Sequence, residues 1–187
     1  MRIFIAIPLP DPIANYVYGI KSNLATTNPD VKWVERDKYH LTLKFLGDID
    51  TGQLHGIIKS LSAVADICTS FELYIKGIGF FPRNKKPRVI WLGIQGEVKK
   101  AEFLGERIDS YLMELGFDTE KSHRFHVTLG RVRTDKNLKP LMDQARDMEA
   151  MVLSKPFYVN EFLLMESRLT STGPNYNILE KFKLLKD

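Results

Sequence analysis

Short apolar runs alternate with longer amphipathic stretches along this chain, and the order of the two kinds recurs. Ile3-Phe4-Ile5-Ala6-Ile7, opened by Arg2 and closed by Pro8, has the length and composition of a strand. From Ile13 to Leu24 the pattern turns amphipathic, which predicts a helix with Asp11 as N-cap and Pro12 at the first helical position. His40 to Gly47 alternates as a strand, Thr51 to Ile67 reads as a second helix, and Phe71 to Tyr74 is β-prone again. Arg88-Val89-Ile90-Trp91 then opens another strand. Ala101, Leu104, Ile108, Tyr111, Leu112 and Leu115 mark a helix starting near Glu97 and closed by Gly116. A strand at His126, a helix from Asn137 to Met151 and a strand at Phe157 complete the series. Two late strands, Phe162 to Leu169 and Tyr176 to Leu184, flank a turn at Ser171-Thr172-Gly173-Pro174.

The recurrence keeps one register. His40-Leu41-Thr42-Leu43 and His126-Val127-Thr128-Leu129 are 126 − 40 = 86 residues apart, and other features repeat at that offset, Arg2-Ile3-Phe4-Ile5 aligning with Arg88-Val89-Ile90-Trp91. Two copies of a strand–helix–strand–helix–strand unit are expected, roughly 1–80 and 87–165, followed by the C-terminal strands 162–184. No Gly/Ser/Pro-rich linker separates them, so residues 1–187 are read as one bilobal domain. The expected fold is α+β and duplicated, with two mainly antiparallel sheets lining a central cleft and helices packed outside.

Composition narrows the setting. No apolar run approaches the roughly 20 residues of a membrane span, and the N-terminal run lacks a signal-peptide pattern. The single Cys68 excludes an internal disulfide framework and points to a reducing cytoplasm. A net charge of +4 and a pI near 9.1 suit a polyanionic partner. A monomer is expected.

Within each repeated tetrapeptide, His and Thr at i and i+2 share one strand face while the intervening residue points to the core. An imidazole beside a hydroxyl is thus presented twice. His titrates near neutral pH, so a pair can hold one basic and one acidic member, as in-line phosphodiester cleavage needs. Thr hydroxyls can donate to the non-bridging oxygens. The remaining histidines, His55 in a helix and His123 three residues before His126, make a poor chelating set, so no metal or other cofactor is expected. Arg83, Lys85, Lys86 and Arg88 form a basic loop, and Lys121, Arg124, Arg131 and Arg133 flank the second motif. Strict alternation turns positions 45 and 131 away from the histidines. A bulge at Gly130 would return Arg131 to the cleft, while Phe45 is open to either core packing or base stacking.

His40-Leu41-Thr42-Leu43-Lys44-Phe45-Leu46-Gly47 and His126-Val127-Thr128-Leu129-Gly130-Arg131 resemble the paired H-x-T/S signatures of the 2H phosphoesterase superfamily. The branch they resemble is that of RNA 2′,3′-cyclic phosphodiesterases, also called 2′-5′ RNA ligases. The likeness extends over the opening strand, the Pro87–Trp91 strand and the Glu166–Tyr176 segment; Phe125 stands where many relatives carry proline. The resemblance implies hydrolysis of RNA 2′,3′-cyclic phosphate ends to 2′-phosphomonoesters without a metal, with reversible 2′-5′ joining in some members. It implies His40 and His126 as catalytic residues, Thr42 and Thr128 as phosphate holders, and Arg131 and Phe45 as nucleotide contacts; Arg88 is added from the basic loop. His40 is assigned as general acid and His126 as base. The rival readings are an RNA- or nucleotide-binding module with little turnover, and a phosphodiesterase acting on ADP-ribose cyclic phosphate or RNA 3′ ends.

Overall fold

The structure, a computed structural model, describes residues 1–187. Its elements are β1 (Arg2–Pro8), α1 (Asp11–Ala25), β2 (Val31–Trp33), β3 (His40–Asp48), α2 (Leu54–Ala65), β4 (Phe71–Phe81), β5 (Val89–Gly96), α3 (Val98–Met113), β6 (His126–Val132), α4 (Leu138–Met148), β7 (Phe157–Val159), β8 (Glu161–Thr170) and β9 (Gly173–Lys183). The strands pair antiparallel in the order β7-β4-β5-β6-β3-β1-β8-β9, with β2 added to β6. The fold is therefore α+β.

The middle of that order carries the site. β3 and β6 pair at one position only, Leu41 with Val127. On either side lie two four-stranded halves, β3-β1-β8-β9 and β6-β5-β4-β7. These are the two sheets the sequence leads one to expect, joined through a single residue pair. Each half borrows from the other end of the chain. β4, from the first part, completes the sheet of β5 and β6, while β8 and β9 complete the sheet of β1 and β3. Neither stretch of sequence could bury its own sheet edges without the other.

Helices cover the core face through their apolar stripes. Ile13, Val17, Ile20 and Leu24 of α1, Ile57, Leu61 and Val64 of α2, and Leu104, Ile108 and Leu112 of α3 are buried. They join one continuous cluster with the inward residues of β1, β3, β5 and β6, so both halves rest on a shared core. No helix is long and apolar enough to cross a membrane.

Element boundaries depart from expectation at a few ends. Asp11 is the first residue of α1 rather than its cap; extended Pro10 takes the N-cap position, and its carbonyl receives the amides of Ile13 and Ala14. The Asp11 carboxylate pairs instead with Arg36 at 3.3 Å, while its charge still suits the helix N-terminus. The second helix opens with a tight turn, Thr51–Gln53, closed by a capping box between Asp50 and Gln53. The three-residue β2 was not anticipated, being too short for any periodicity. Its place depends on Gly130: a Cβ there would lie 2.6 Å from Val31 Cγ1 and 3.0 Å from the Lys32 carbonyl oxygen.

Leu41 is fully buried where the two halves meet. Leu41→Ala should lower unfolding free energy by about 2–5 kcal/mol, the usual cost of a core cavity, in equilibrium urea denaturation.

Candidate active site

Leu41 and Val127 are themselves 127 − 41 = 86 residues apart, so the contact between the halves joins equivalent positions. In an antiparallel register centred on that pair, His40 lies across from Thr128 and Thr42 across from His126. Alternation sends Leu41 and Val127 to the core and the four polar side chains to the opposite face. His40, Thr42, His126 and Thr128 line one cleft of about 370 Å³. β3 and β6 make no further paired contact, and their separation on either side of the joint leaves the groove open.

Arg131 and Phe45 line the same cleft, against strict alternation. Both are returned by a β-bulge. On β3, Ile5 pairs with Lys44 and Ala6 with Thr42, leaving Leu43 unpaired; on β6, Ile90 pairs with Gly130 and Trp91 with Thr128, leaving Leu129 unpaired. Two consecutive residues then face inward, Leu43-Lys44 in one strand and Leu129-Gly130 in the other. The next residue emerges on the cleft side. Phe45 is 65% exposed there, so its ring is a cleft wall and not core packing. The bulges are again 86 residues apart, but they present an aromatic ring on one side and a guanidinium on the other.

Arg88 does not join them. It is exposed outside the cleft lining, and its backbone carbonyl accepts the Val132 amide. Val89 pairs across from Arg131, so the pleat turns Arg88 to the other face. The strand pairing also shows a one-residue slip in the repeat. Ala6 and Trp91 are the partners of Thr42 and Thr128, and 91 − 6 = 85. In the basic loop, Lys86 is paired with Asp135.

Each imidazole stands beside the backbone carbonyl of the residue two positions upstream. His40 Nδ1 lies 2.8 Å from the Lys38 carbonyl oxygen, which can only accept, so Nδ1 carries a proton. In the neutral ring Nε2 then accepts, and the Thr42 hydroxyl is 3.1 Å away. The Arg124 backbone carbonyl, two residues upstream, stands beside the His126 ring and favours its protonated form. Aromatic rings pack both: Phe4 and Tyr176 lie 5.2 and 5.6 Å from His40, and Phe81 lies 5.7 Å from His126. Burial pushes both imidazoles below their ordinary pKa. The backbone carbonyls oppose that shift; the nearby His126 adds to it at His40, and the Arg131 guanidinium adds to it at His126.

Several further cleft residues lie outside the two motifs. Lys32, Trp33, Val34 and Glu35 arrive with β2, and Ser167, Leu169, Pro174 and Tyr176 with the β8–β9 hairpin. Arg2 and Lys38 add cations. Only the strand order brings these segments beside His40 and His126. No group of three or more His, Cys, Asp or Glu side chains is placed to hold a metal ion.

The chain resembles known proteins along its length. Residues 7–91 match the family described as LigT-like phosphoesterase. An RNA 2′,3′-cyclic phosphodiesterase of Methanothermobacter thermautotrophicus is 31% identical over 98% of this chain and 99% of that protein. One from Aquifex aeolicus is 35% identical over 82% of this chain and 81% of its own length. A crystal structure from Thermus thermophilus superposes with a TM-score of 0.82 at 26% identity, covering all of both chains.

Burial favours the neutral form of both imidazoles in the free site. Ring NMR titrations of His40 and His126 should give midpoints below the roughly 6.5 of an unperturbed imidazole. Because the folded state resists protonation, this contribution to stability is full above the unfolded pKa. It is lost as pH falls through the folded values. Denaturant midpoints measured across that acidic window should fall more steeply in the parent protein than in a His40→Gln/His126→Gln variant.

Proposed function

The chain belongs to the LigT-like phosphoesterase family, and on that footing we propose that it is an RNA 2′,3′-cyclic phosphodiesterase that leaves a 2′-phosphomonoester. The observation that carries this reading is the symmetric quartet of His40, Thr42, His126 and Thr128 on one cleft face. A cyclic phosphate seated between the strands meets an imidazole on each side. That is the arrangement in-line displacement at phosphorus requires. The symmetric strand order also supports reading residues 1–187 as one bilobal domain of two related units.

Water attacks phosphorus opposite O3′. His126 Nε2 accepts the water proton as the new P–O bond forms, and the P–O3′ bond breaks as His40 gives its Nε2 proton to O3′. The ester at O2′ stays. Arg131 beside His126 favours the neutral ring there, which suits the base. A backbone carbonyl favours the protonated form of each ring and the incoming anion raises the proton affinity of both, so the acid's charge forms with substrate bound. Thr42 and Thr128 donate to the non-bridging oxygens as their charge grows, and Arg131 adds a fixed cation. Phe45 offers a face for a base. No step is assigned to a metal. Joining through a 2′-5′ linkage follows the same path, with a ribose 5′-hydroxyl attacking phosphorus in place of water, His126 taking its proton and O3′ leaving with the proton from His40. The lone, buried Cys68 thiol fits a reducing cytoplasm as the setting.

His40→Ala and His126→Ala should each lower kcat by about 10²–10⁴-fold on a cyclic-phosphate-ended oligonucleotide, with circular dichroism unchanged. Substantial turnover in either folded variant, or a 3′-phosphate product, would overturn the mechanism. Arg131→Ala should raise KM and reduce the salt slope of binding by about 1, as loss of one phosphate contact predicts. The rate should be unaffected by EDTA; inhibition reversed by added zinc would contradict metal-independent chemistry.

A further inference from the structure

Behind the sheet, away from the cleft, lies a buried charged cluster to which the proposed mechanism gives no role. Lys44 Nζ sits 2.6 Å from Asp109 Oδ1, and His123 Nε2 sits 3.0 Å from Asp109 Oδ2. The three side chains are 3%, 7% and 6% exposed. The Glu120 amide donates to Asp109 Oδ2 at 3.1 Å, and Lys44 also donates to the Asp118 carbonyl. Gly105 on α3 makes room for the His123 ring, since a Cβ there would lie 2.6 Å from Nδ1.

We propose that Asp109 is a positioning residue for the reaction, tying both histidine-bearing strands to helix α3. Lys44 is the residue that the β3 bulge turns inward, next to Phe45 and two positions after Thr42. Its ion pair with Asp109 holds that bulge in place. On the other side, Asp109 fixes His123 and the amide of Glu120, and His123 stacks on Phe125 with ring centroids 6.4 Å apart. Between those two residues in sequence comes Arg124, whose backbone carbonyl stands beside His126, and Phe125 directly precedes His126. One carboxylate therefore sets the approach of β6 and the bend of β3. The physical chemistry favours this role over simple stabilisation. A buried ion pair gives up much of its attraction to desolvation, and apolar residues of similar volume often hold a fold as well or better. What such residues lack is direction, and the two ring geometries depend on direction.

The proposal rests on the functional reading above, so its test carries a readout that needs no substrate. Asp109→Asn removes the charge at constant shape. A triple variant, Lys44→Met/Asp109→Leu/His123→Phe, replaces the cluster by apolar groups and carries the test if Asp109→Asn alone does not fold. Each folded variant should keep the parent's circular dichroism and show kcat lowered about 10–100-fold, the usual cost of a lost supporting contact. KM should stay within about two-fold. The His126 ring resonances of the free protein should shift. Wild-type kcat together with unmoved His126 resonances in either folded variant would overturn the proposal. If the parent protein fails to open a 2′,3′-cyclic phosphate, the functional reading falls, while the ring spectra still decide whether Asp109 positions His126.

Discussion

A single antiparallel contact, Leu41 against Val127, is the constraint around which this molecule is organised. Two four-stranded half-sheets meet there and nowhere else along β3 and β6. More extensive pairing would zip the strands into a continuous surface and close the groove. With no pairing, the two histidines would sit on independent walls. One pair brings the flanking His and Thr side chains together and lets the strands diverge on both sides. Both residues at the joint are fully buried, so apolar packing from the helices secures the contact that ladder hydrogen bonds hardly support. The exchange of β4 and β8 between halves reinforces it, because pulling the halves apart would expose sheet edges on both.

Symmetry is carried further than the motifs. Each strand bulges after its Thr, at Leu43 and at Leu129, and each bulge turns the residue two positions later into the cleft. The residue between is handled differently. In β6 it is Gly130, which lets β2 approach; in β3 it is Lys44, whose ammonium is carried inward and must find a partner. Asp109 meets that need. Asymmetry thus begins one residue before the cleft wall and appears in it as Phe45 opposite Arg131. A symmetric His/Thr quartet flanked by an aromatic face and a guanidinium suits the proposed substrate, whose two ends differ.

Electrostatics at the proposed dyad follow from the same architecture. Strands that meet over a common core place both imidazoles among aromatic rings, where burial disfavours their charged forms. The Lys38 carbonyl holds His40 Nδ1, so Nε2 is the nitrogen turned toward Thr42 on the cleft face. A neutral pair awaiting an anionic ligand costs little in the free protein. In the proposed mechanism the charge needed for acid catalysis is stabilised by the substrate itself.

By itself the sequence determined the element types, the duplicate His-x-Thr motifs, and the side of the strand that His40, Thr42, His126 and Thr128 occupy. These are consequences of hydrophobic period and pleat, which are local. The 86-residue offset also suggested that the motif strands would meet. Tertiary structure decided the rest. Bulges follow from how β1 and β5 register against their neighbours, so period-two counting could place neither Phe45 nor Arg131, and it gave no hint that Arg88 would turn away. Helix ends moved for a similar reason, as with Asp11, whose carboxylate is drawn to Arg36 rather than to its own helix. The β2 strand and the β8–β9 hairpin reach the cleft through long-range pairing that no window of sequence contains. Most dependent on the fold was the Lys44–Asp109–His123 cluster. Its members lie apart in sequence on a strand, a helix and a loop, and their polar groups have a reason to be buried only once all three are brought together behind the sheet.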